Sequence, residues 1–438
     1  MEDFNKFVHE YFAQNKQVIL DEIAELVSIP SVNAGSFDGN IKKVLEAGGA
    51  LAEKYGYTVD VKEKYVIAKY GSGAKKIGIF THLDVVPATE SDWMVTHPFK
   101  MVEKDGFLFG RGVEDDKQAA VFACHYPEII KQSGIPFDAQ LVLYLGGNEE
   151  SGMDDIEEFA KNEQMPDISI VPDNAFPVCV GEKTLIGVEL VAKNIFETIE
   201  KIEGGAAFNI MLGKAKAVLK NGETLSGEGL SAHAAYPEGS VNAGSILYGK
   251  LLENPFVSEN DKKILSTAKT FTEKYYGEVF GFEGEEEGFG KNTCVNGIVK
   301  TVDGRLSLNF DIRCGAETNS EYVLEKIRAK AKASGFEMKV VRNDRGFKNT
   351  ITPLVEKFVE AYRRVSGSVN ENFYYSGGGT YARKIKNAYS VGTWIPVGEK
   401  NGLPAGHGGA HQPDECISVK GMFLGAEIVF KMVIAASE

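Results

Sequence analysis

A chain of 438 residues, 43% hydrophobic and 25% charged, has the composition of a folded globular protein, and its length exceeds what one core ordinarily serves, so two domains are expected. Its net charge of −14 argues against nucleic acid or an anionic membrane as a partner. No apolar run approaches the roughly 20 residues needed to cross a bilayer, and the opening MEDFNKFVHEYF is too acidic for a secretory signal. Five scattered cysteines (124, 179, 294, 314 and 416), none in a CxxC pair, fit a reduced cytoplasm.

In chain order, Phe4, Phe7, Val8, Phe12, Ile19, Ile23, Leu26 and Val27 fall at helical spacing and predict a helix over 4–28, ending before Pro30. A second helix is expected over 40–55. The apolar runs VIAKY, KIGIF, QLVLYL and ISIVP predict buried strands, with helices between them near 117–132 and 154–162. This alternation predicts an α/β domain with a mixed sheet and helices on both faces. From about 185 the texture changes to VELVAKNIFETIEKIEGG, a strand pair, followed by a helix near 209–220. Strands at 294–302 and 305–314, a helix near 318–333 and the strand EMKVV complete an antiparallel sheet with two main helices. After 347 the α/β texture resumes, with helices at ITPLVEKFVEAYRRV and from about 419. The predicted division is a catalytic domain over 1–184 and 347–438, interrupted by an α+β lid domain over 185–346. The acidic stretch 281–290 is expected to be a solvated loop.

Five polar loops follow predicted strands or precede a helix: THLD (81–84), GRGVEDDK (110–117), GGNEESG (146–152), VPDN (171–174) and GHGGAHQPDE (406–415). Singly, an HxD pair is usually an ordinary strand end, and paired acids are usually surface charge or helix-start residues. Jointly they can converge at one sheet edge. Carboxylates and imidazoles gathered in a cleft repel or compete unless cations hold them. His82, Asp115, Glu150, Asp173 and His411 supply two imidazoles and three carboxylates, enough for two divalent ions about 3.5–4 Å apart. Asp84 lies two residues beyond His82, on the same side of an extended segment, placed to accept the other imidazole N–H. Glu149 remains unliganded beside the ions, the natural general base for water. Three small residues separate His407 from His411, so HGGAH is expected as a loop with His407 outside the ligand set. His97 is expected in local packing, and His9 and His125 on helices as structural residues. Gly377, Gly378 and Gly379 permit close backbone approach and predict a substrate-lining loop.

THLDVVP, the block from Trp93 through HPF to FGRGVEDDK, NEES, VPDN and HQPDE resemble the co-catalytic metallopeptidases related to aminoacylase and carboxypeptidase G. FPVCVGEKT (176–184) and SGGGTYAR (376–383) bring the chain nearest to the bacterial, carnosinase-like Xaa-His dipeptidases of the dipeptidase V type. The resemblance spans nearly the whole chain, in order. It implies one metal on His82 and Asp173, the other on Glu150 and His411, and Asp115 bridging them, with an Asp115–Asp116 peptide that is often cis. It assigns Glu149 as proton shuttle and Asp84 as the histidine-orienting residue. In the lid, LSAHAAYPEGSVNAG makes His233 the transition-state histidine, FDIRC makes Arg313 the substrate-carboxylate ligand, and GGAAFNIM suggests Asn209 as a substrate contact. Gln118 after Lys117, and SGM after the glutamate pair, depart from the family pattern. The implied activity is hydrolysis of dipeptides with free termini, using two divalent ions: zinc first, manganese or cobalt otherwise. A deacylase of N-acyl amino acids or a carboxypeptidase is the alternative within the family, and a non-catalytic metal-dependent binding protein the alternative outside it. A monomer is expected, with a homodimer as the other arrangement.

Overall fold

The computed structural model describes residues 2–205, 207–398 and 402–438. The chain divides into two compact units: Met1–Val180 with Asn349–Tyr374 and Thr380–Glu438, and Gly181–Lys348 with Tyr375–Gly379. The short segment 375–379 thus belongs to the inserted unit, carrying Gly377, Gly378 and Gly379 with it.

In the first unit, the strands Thr58–Val61, Tyr65–Tyr70, Ala139–Gly146, Lys75–His82, Ile168–Asn174 and Ala388–Gly392 lie side by side in that order. The Lys75–His82 strand runs parallel to both Ala139–Gly146 and Ile168–Asn174, and Ala388–Gly392 runs parallel to Ile168–Asn174, whereas Tyr65–Tyr70 is antiparallel to its neighbours. The near-continuous apolar runs are those of strands covered on both faces. Ile77, Ile79, Phe80, Leu141, Leu143, Leu145 and Ile170 are all fully buried. Each such side chain contributes about 1.5–3 kcal/mol. The helix Gly39–Lys54 approaches so closely that a Cβ on Gly48 would lie 2.6 Å from the Leu83 side chain. A separate three-stranded sheet pairs Val102–Lys104 with Phe107–Phe109, and Phe107–Phe109 with Cys416–Ser418.

The expected single helix over 4–28 is two, Glu2–Gln14 and Lys16–Val27, and the expected helix over 117–132 is also two, Lys117–Cys124 and Tyr126–Ser133. The second break falls at His125, which is fully buried at the centre of a polar network. Its Nε2 lies 2.8 Å from Glu22 Oε2 and its Nδ1 2.9 Å from the Tyr11 hydroxyl, while Lys54 and the Tyr55 hydroxyl donate to Glu22 Oε1. Burial alone would raise the Glu22 carboxyl, but the bonds from His125, Lys54 and Tyr55 bring it down to about 2 from 4.5. A depressed carboxyl pKa stabilises the fold above the unfolded value, and that contribution is lost as pH falls through the folded value. Glu22→Gln is therefore expected to destabilise the protein by about 1–3 kcal/mol at pH 6. In thermal melts the gap from wild type should close as pH falls from 4.5 towards 2. A gap that stayed constant over this range would show that the network carries no charge-dependent stability.

The inserted unit contains a seven-stranded antiparallel sheet in the order Thr224–Glu228, Lys214–Leu219, Ile199–Gly204, Thr293–Val302, Arg305–Cys314, Thr184–Ala192, Phe336–Asp344. The helix expected near 209–220 is instead the strand Lys214–Leu219. Lys214 and Lys216 point outward while Ala215, Ala217 and Leu219 are buried, so period-2 burial overrides the helix propensity of lysine, alanine and leucine. Besides Ser320–Ala333, the unit has the helices Ala243–Glu253 and Glu259–Thr272, making three longer helices among its described residues where two were expected. Side chains start both unanticipated helices. Asn242 accepts from the amides of Gly244 and Ser245, and Ser258 from that of Asp261. The acidic stretch 281–290 is a loop with a two-residue strand, Glu285–Glu286, paired to Gly290–Lys291. No helix among the described residues is long and apolar enough to cross a membrane. All five cysteines are buried, and none forms a disulfide among the described residues.

Candidate metal centre

His82 ends its strand directly opposite Gly146, after which the neighbouring parallel strand leads into Glu149 and Glu150. Asp173 lies near the end of the other parallel neighbour. Parallel pairing therefore puts all four at one edge of the sheet. The remaining two expected ligands, Asp115 and His411, come from loops of the small sheet. Phe107–Phe109 leads into the loop bearing Asp115, and the loop bearing His411 leads into Cys416–Ser418, with Phe109 paired to Cys416. One antiparallel strand pair thus delivers both loops.

Asp115 is central. Its Oδ1 lies 2.9 Å from His82 Nε2 and its Oδ2 3.0 Å from His411 Nε2. Glu150 Oε1 is also 3.0 Å from His411 Nε2, and Asp173 Oδ1 is 4.0 Å from His82 Nε2. Ligand atoms of His82, Glu149 and Asp173 lie within 4.8 Å of one another, and so do those of Asp115, Glu150 and His411. The Asp115–Asp116 peptide is cis. His411 adopts a positive φ of 64°, a conformation rare for residues other than glycine. All five expected ligands come together, and Glu149 stands among them.

The electrostatics show what such a cluster needs. Burial pushes the carboxyls of Glu149 and Asp173 well above the carboxylate range, and neighbouring carboxylates push the same way against His82. Glu150 is raised for the same reasons, against His411. The imidazoles carry the compensating charge. Burial lowers His411, but Asp115 and Glu150 lift it to about 11, and His82 is likewise held well above its ordinary range by Asp115 and Asp84. Without cations, protons must fill the cluster. Glu149 Oε1 and Asp116 Oδ1 are buried with no hydrogen-bond partner, the kind of orphan that a bound ion or ordered water relieves. Mixed imidazole and carboxylate donors at these separations fit two divalent cations.

Asp84 differs from expectation in its principal contact. The nearest acceptor to His82 Nδ1 is the backbone carbonyl of Asp84 at 3.0 Å, with its carboxylate at 3.5 Å. The carboxylate instead accepts the amides of Glu149 at 3.0 Å and Glu150 at 3.2 Å, pinning the loop that carries them. Two further buried carboxylates play similar parts, and neither was anticipated. Asp155 accepts from the amides of Gly147 and Asn148 and from the Tyr381 hydroxyl. Glu415 accepts from Arg111 and from the amides of Gly112, Glu114 and Asp115. In sequence Asp155 and Glu415 read as surface charge, and only burial marks them otherwise. His407 donates through Nδ1 to the Asp414 carboxylate at 2.7 Å and stands outside the two ligand groups, while His97 contacts Glu90 and the amide of Phe99.

Within the inserted unit the other candidates form one connected set. His233 bridges Ile210 in antiparallel fashion, and the carbonyl of Asn209 accepts from the amide of Ala234. Asn209 therefore does not start a helix but flanks the His233 segment. Ala235 abuts Gly377, where a Cβ would come within 2.6 Å. The Gly377 carbonyl in turn accepts from Arg313 Nη1 at 2.6 Å. Arg313 is only 4% exposed and is also held by Asp311 through Nε at 2.8 Å and Nη2 at 3.1 Å. It is thus a paired, buried residue that holds the Gly377–Gly379 loop through the Gly377 carbonyl.

Comparison with known proteins gives these arrangements a context. The chain is 25% identical over 475 aligned residues to "Putative dipeptidase SH1171" of Staphylococcus haemolyticus, with 97% of each chain covered. Its fold matches that of the dipeptidase Dug1p from Saccharomyces cerevisiae with a TM-score of 0.65 at 15% identity, over 100% of this chain and 99% of that one. Human carnosine dipeptidase 1 gives the same TM-score at 14% identity, over 99% and 98% of the two chains. A family model matches residues 78–435, a span that takes in all the clustered acids and both imidazoles, and the chain belongs to peptidase family M20/M25/M40.

Proposed function

We propose that this chain is a metal-dependent dipeptidase that hydrolyses short peptides with free N- and C-termini. The observation that carries this reading is the Asp115 carboxylate, which offers one oxygen to each imidazole, with Glu149 beside it and one Glu149 oxygen unpartnered. His82 and Asp173 would hold one cation, Glu150 and His411 the other, and Asp115 both. When bound, such cations supply Lewis acidity, drawing electron density from the scissile carbonyl and acidifying water.

Glu149 would take a proton from the attacking water as the new C–O bond forms. It would then deliver that proton to the nitrogen leaving as the C–N bond breaks, so the products are two amino acids and the carboxylate is regenerated. Asp84 serves this step by holding the Glu149 amide, and His233 would donate to the developing oxyanion. The Arg313 guanidinium, three of whose N–H groups are taken by Asp311 and Gly377, would present the Gly377–Gly379 backbone and its remaining N–H groups to the substrate carboxylate. The dipeptidase names of the relatives support this substrate class.

The test is a panel of dipeptides, tripeptides and N-acyl amino acids assayed with added zinc, manganese or cobalt. Hydrolysis of dipeptides, with tripeptides and acylated amino acids untouched, is expected. Turnover of N-acyl amino acids alone would make the chain a deacylase, and cation uptake without hydrolysis of any member would make it a binding protein.

A further inference from the structure

Glu415 is among the buried acids that the mechanism above does not use. Glu415 is fully buried, yet its two oxygens accept from four donors: Arg111 Nη1 at 2.5 Å and the amides of Gly112 at 3.0 Å, Glu114 at 2.9 Å and Asp115 at 3.2 Å. A carboxylate so saturated has no capacity left to bind a cation or move a proton. We propose that Glu415 is a positioning residue that aims the Asp115 carboxylate at both imidazoles, so that filling one cation position prepares the other. The inference rests on the reading that cations occupy the cluster.

Three connections converge on it. Phe109 and Cys416 are paired, so the loops bearing Asp115 and His411 leave the same end of one strand pair. The Gly110 amide donates to the Glu415 carbonyl at 3.1 Å, continuing that pairing to the residue before Cys416. Arg111 then closes the circuit, because its Nη2 donates to the Gln412 carbonyl, next to His411, at 3.3 Å. The first loop is therefore wound around a side chain belonging to the second. The turn needs backbone that side chains resist: Gly112 has a φ of +90°, and a Cβ there would lie 3.0 Å from both Lys117 and Val85. The last amide held is that of Asp115 itself. Shifting this peptide re-aims the carboxylate three bonds from that nitrogen, and displacements of about 1 Å at a reacting centre can cost 10²-fold in rate.

The substitution that isolates the effect is Glu415→Gln, which keeps the shape but turns one acceptor into an N–H facing other N–H groups. Cation-stripped full-length protein is titrated with Co²⁺ alone and followed by calorimetry. Wild type is expected to take up two ions. In Glu415→Gln the second should bind at least about tenfold more weakly, as when a residue supporting a ligand is lost, with a fall in kcat and little change in KM. Glu427→Gln is the control. Glu427 is another buried carboxylate of the same unit, held by His9 and Lys431 and absent from the ligand groups. It should lower the melting temperature while leaving both Co²⁺ affinities intact. If Glu415→Gln does not fold, Arg111→Lys, which keeps the charge but loses the fork, should shift the second affinity in the same direction. Wild-type Co²⁺ constants in Glu415→Gln, or equal losses in Glu427→Gln, overturn the inference alone. Wild type that binds no Co²⁺ overturns it together with the reading beneath it.

Discussion

Glu149→Gln is expected to lower kcat for dipeptide hydrolysis by about 10²–10⁴-fold while the protein keeps two divalent ions per chain. Glutamine preserves the side-chain volume and the backbone contact with Asp84, but it cannot accept a proton at neutral pH. The position suits a proton carrier. Its Oε1 is buried without a partner, and burial holds its carboxyl well above the carboxylate range, with Glu150, Asp115 and Asp84 adding to this against the opposing charge of His82. Glu149 also lies within ligand distance of His82 and Asp173, which gives the experiment a second arm. Metal content by mass spectrometry separates the two roles. A variant that loses one ion in proportion to activity would make Glu149 a ligand, and one that keeps near-normal turnover would remove it from the reaction.

Four of the clustered residues, His82, Glu149, Glu150 and Asp173, were legible in the sequence because each ends or follows a long apolar strand. Once Lys75–His82, Ala139–Gly146 and Ile168–Asn174 are parallel neighbours, the convergence of His82, Glu149, Glu150 and Asp173 is a consequence of topology. The supporting acids were not legible in the same way. Asp155 and Glu415 are both fully buried, but their neighbours in sequence are those of surface acids, and what distinguishes them is the set of distant amides they hold. No local pattern encodes that. Asp84 was found for a local reason, its spacing from His82, and its larger contact with the Glu149–Glu150 backbone is a long-range one.

The inserted unit was harder for a different reason. Lys214–Leu219 contains residues that favour helices, and only the alternation of burial, set by the sheet it joins, makes it a strand. The helices Ala243–Glu253 and Glu259–Thr272 start at side-chain caps, Asn242 and Ser258, which are residue types that favour helix starts. Arg313 shows the limit of motif reasoning. Its partners Asp311 and Gly377 lie two residues earlier in the same strand and in a segment 64 residues away.

Asp115→Ala is expected to abolish tight binding of both cations, not one, and with it peptide hydrolysis. Each carboxylate oxygen serves a different imidazole, so removal deprives both positions of a ligand at once. Losing even a residue that only supports a ligand typically costs 10–100-fold in metal affinity, and a ligand shared by two ions should cost more than about 100-fold at each. Thermal unfolding reads this directly, because a ligand at 100 times its Kd stabilises the fold by about 2.7 kcal/mol. Wild type should gain stability on addition of zinc, manganese or cobalt, whereas Asp115→Ala should melt at the same temperature with or without them. The cation-free comparison runs in a definite direction too. His82 and His411 would each lose a partner that raises its pKa, so both should titrate nearer the ordinary imidazole range in the variant. A raised histidine pKa stabilises the fold below the unfolded value of 6.5, and for His411 that contribution fades as pH climbs towards about 11. The cation-free variant should therefore fall furthest behind cation-free wild type at and below neutral pH. Retention of one tightly held ion by Asp115→Ala would show that the two positions do not share this carboxylate.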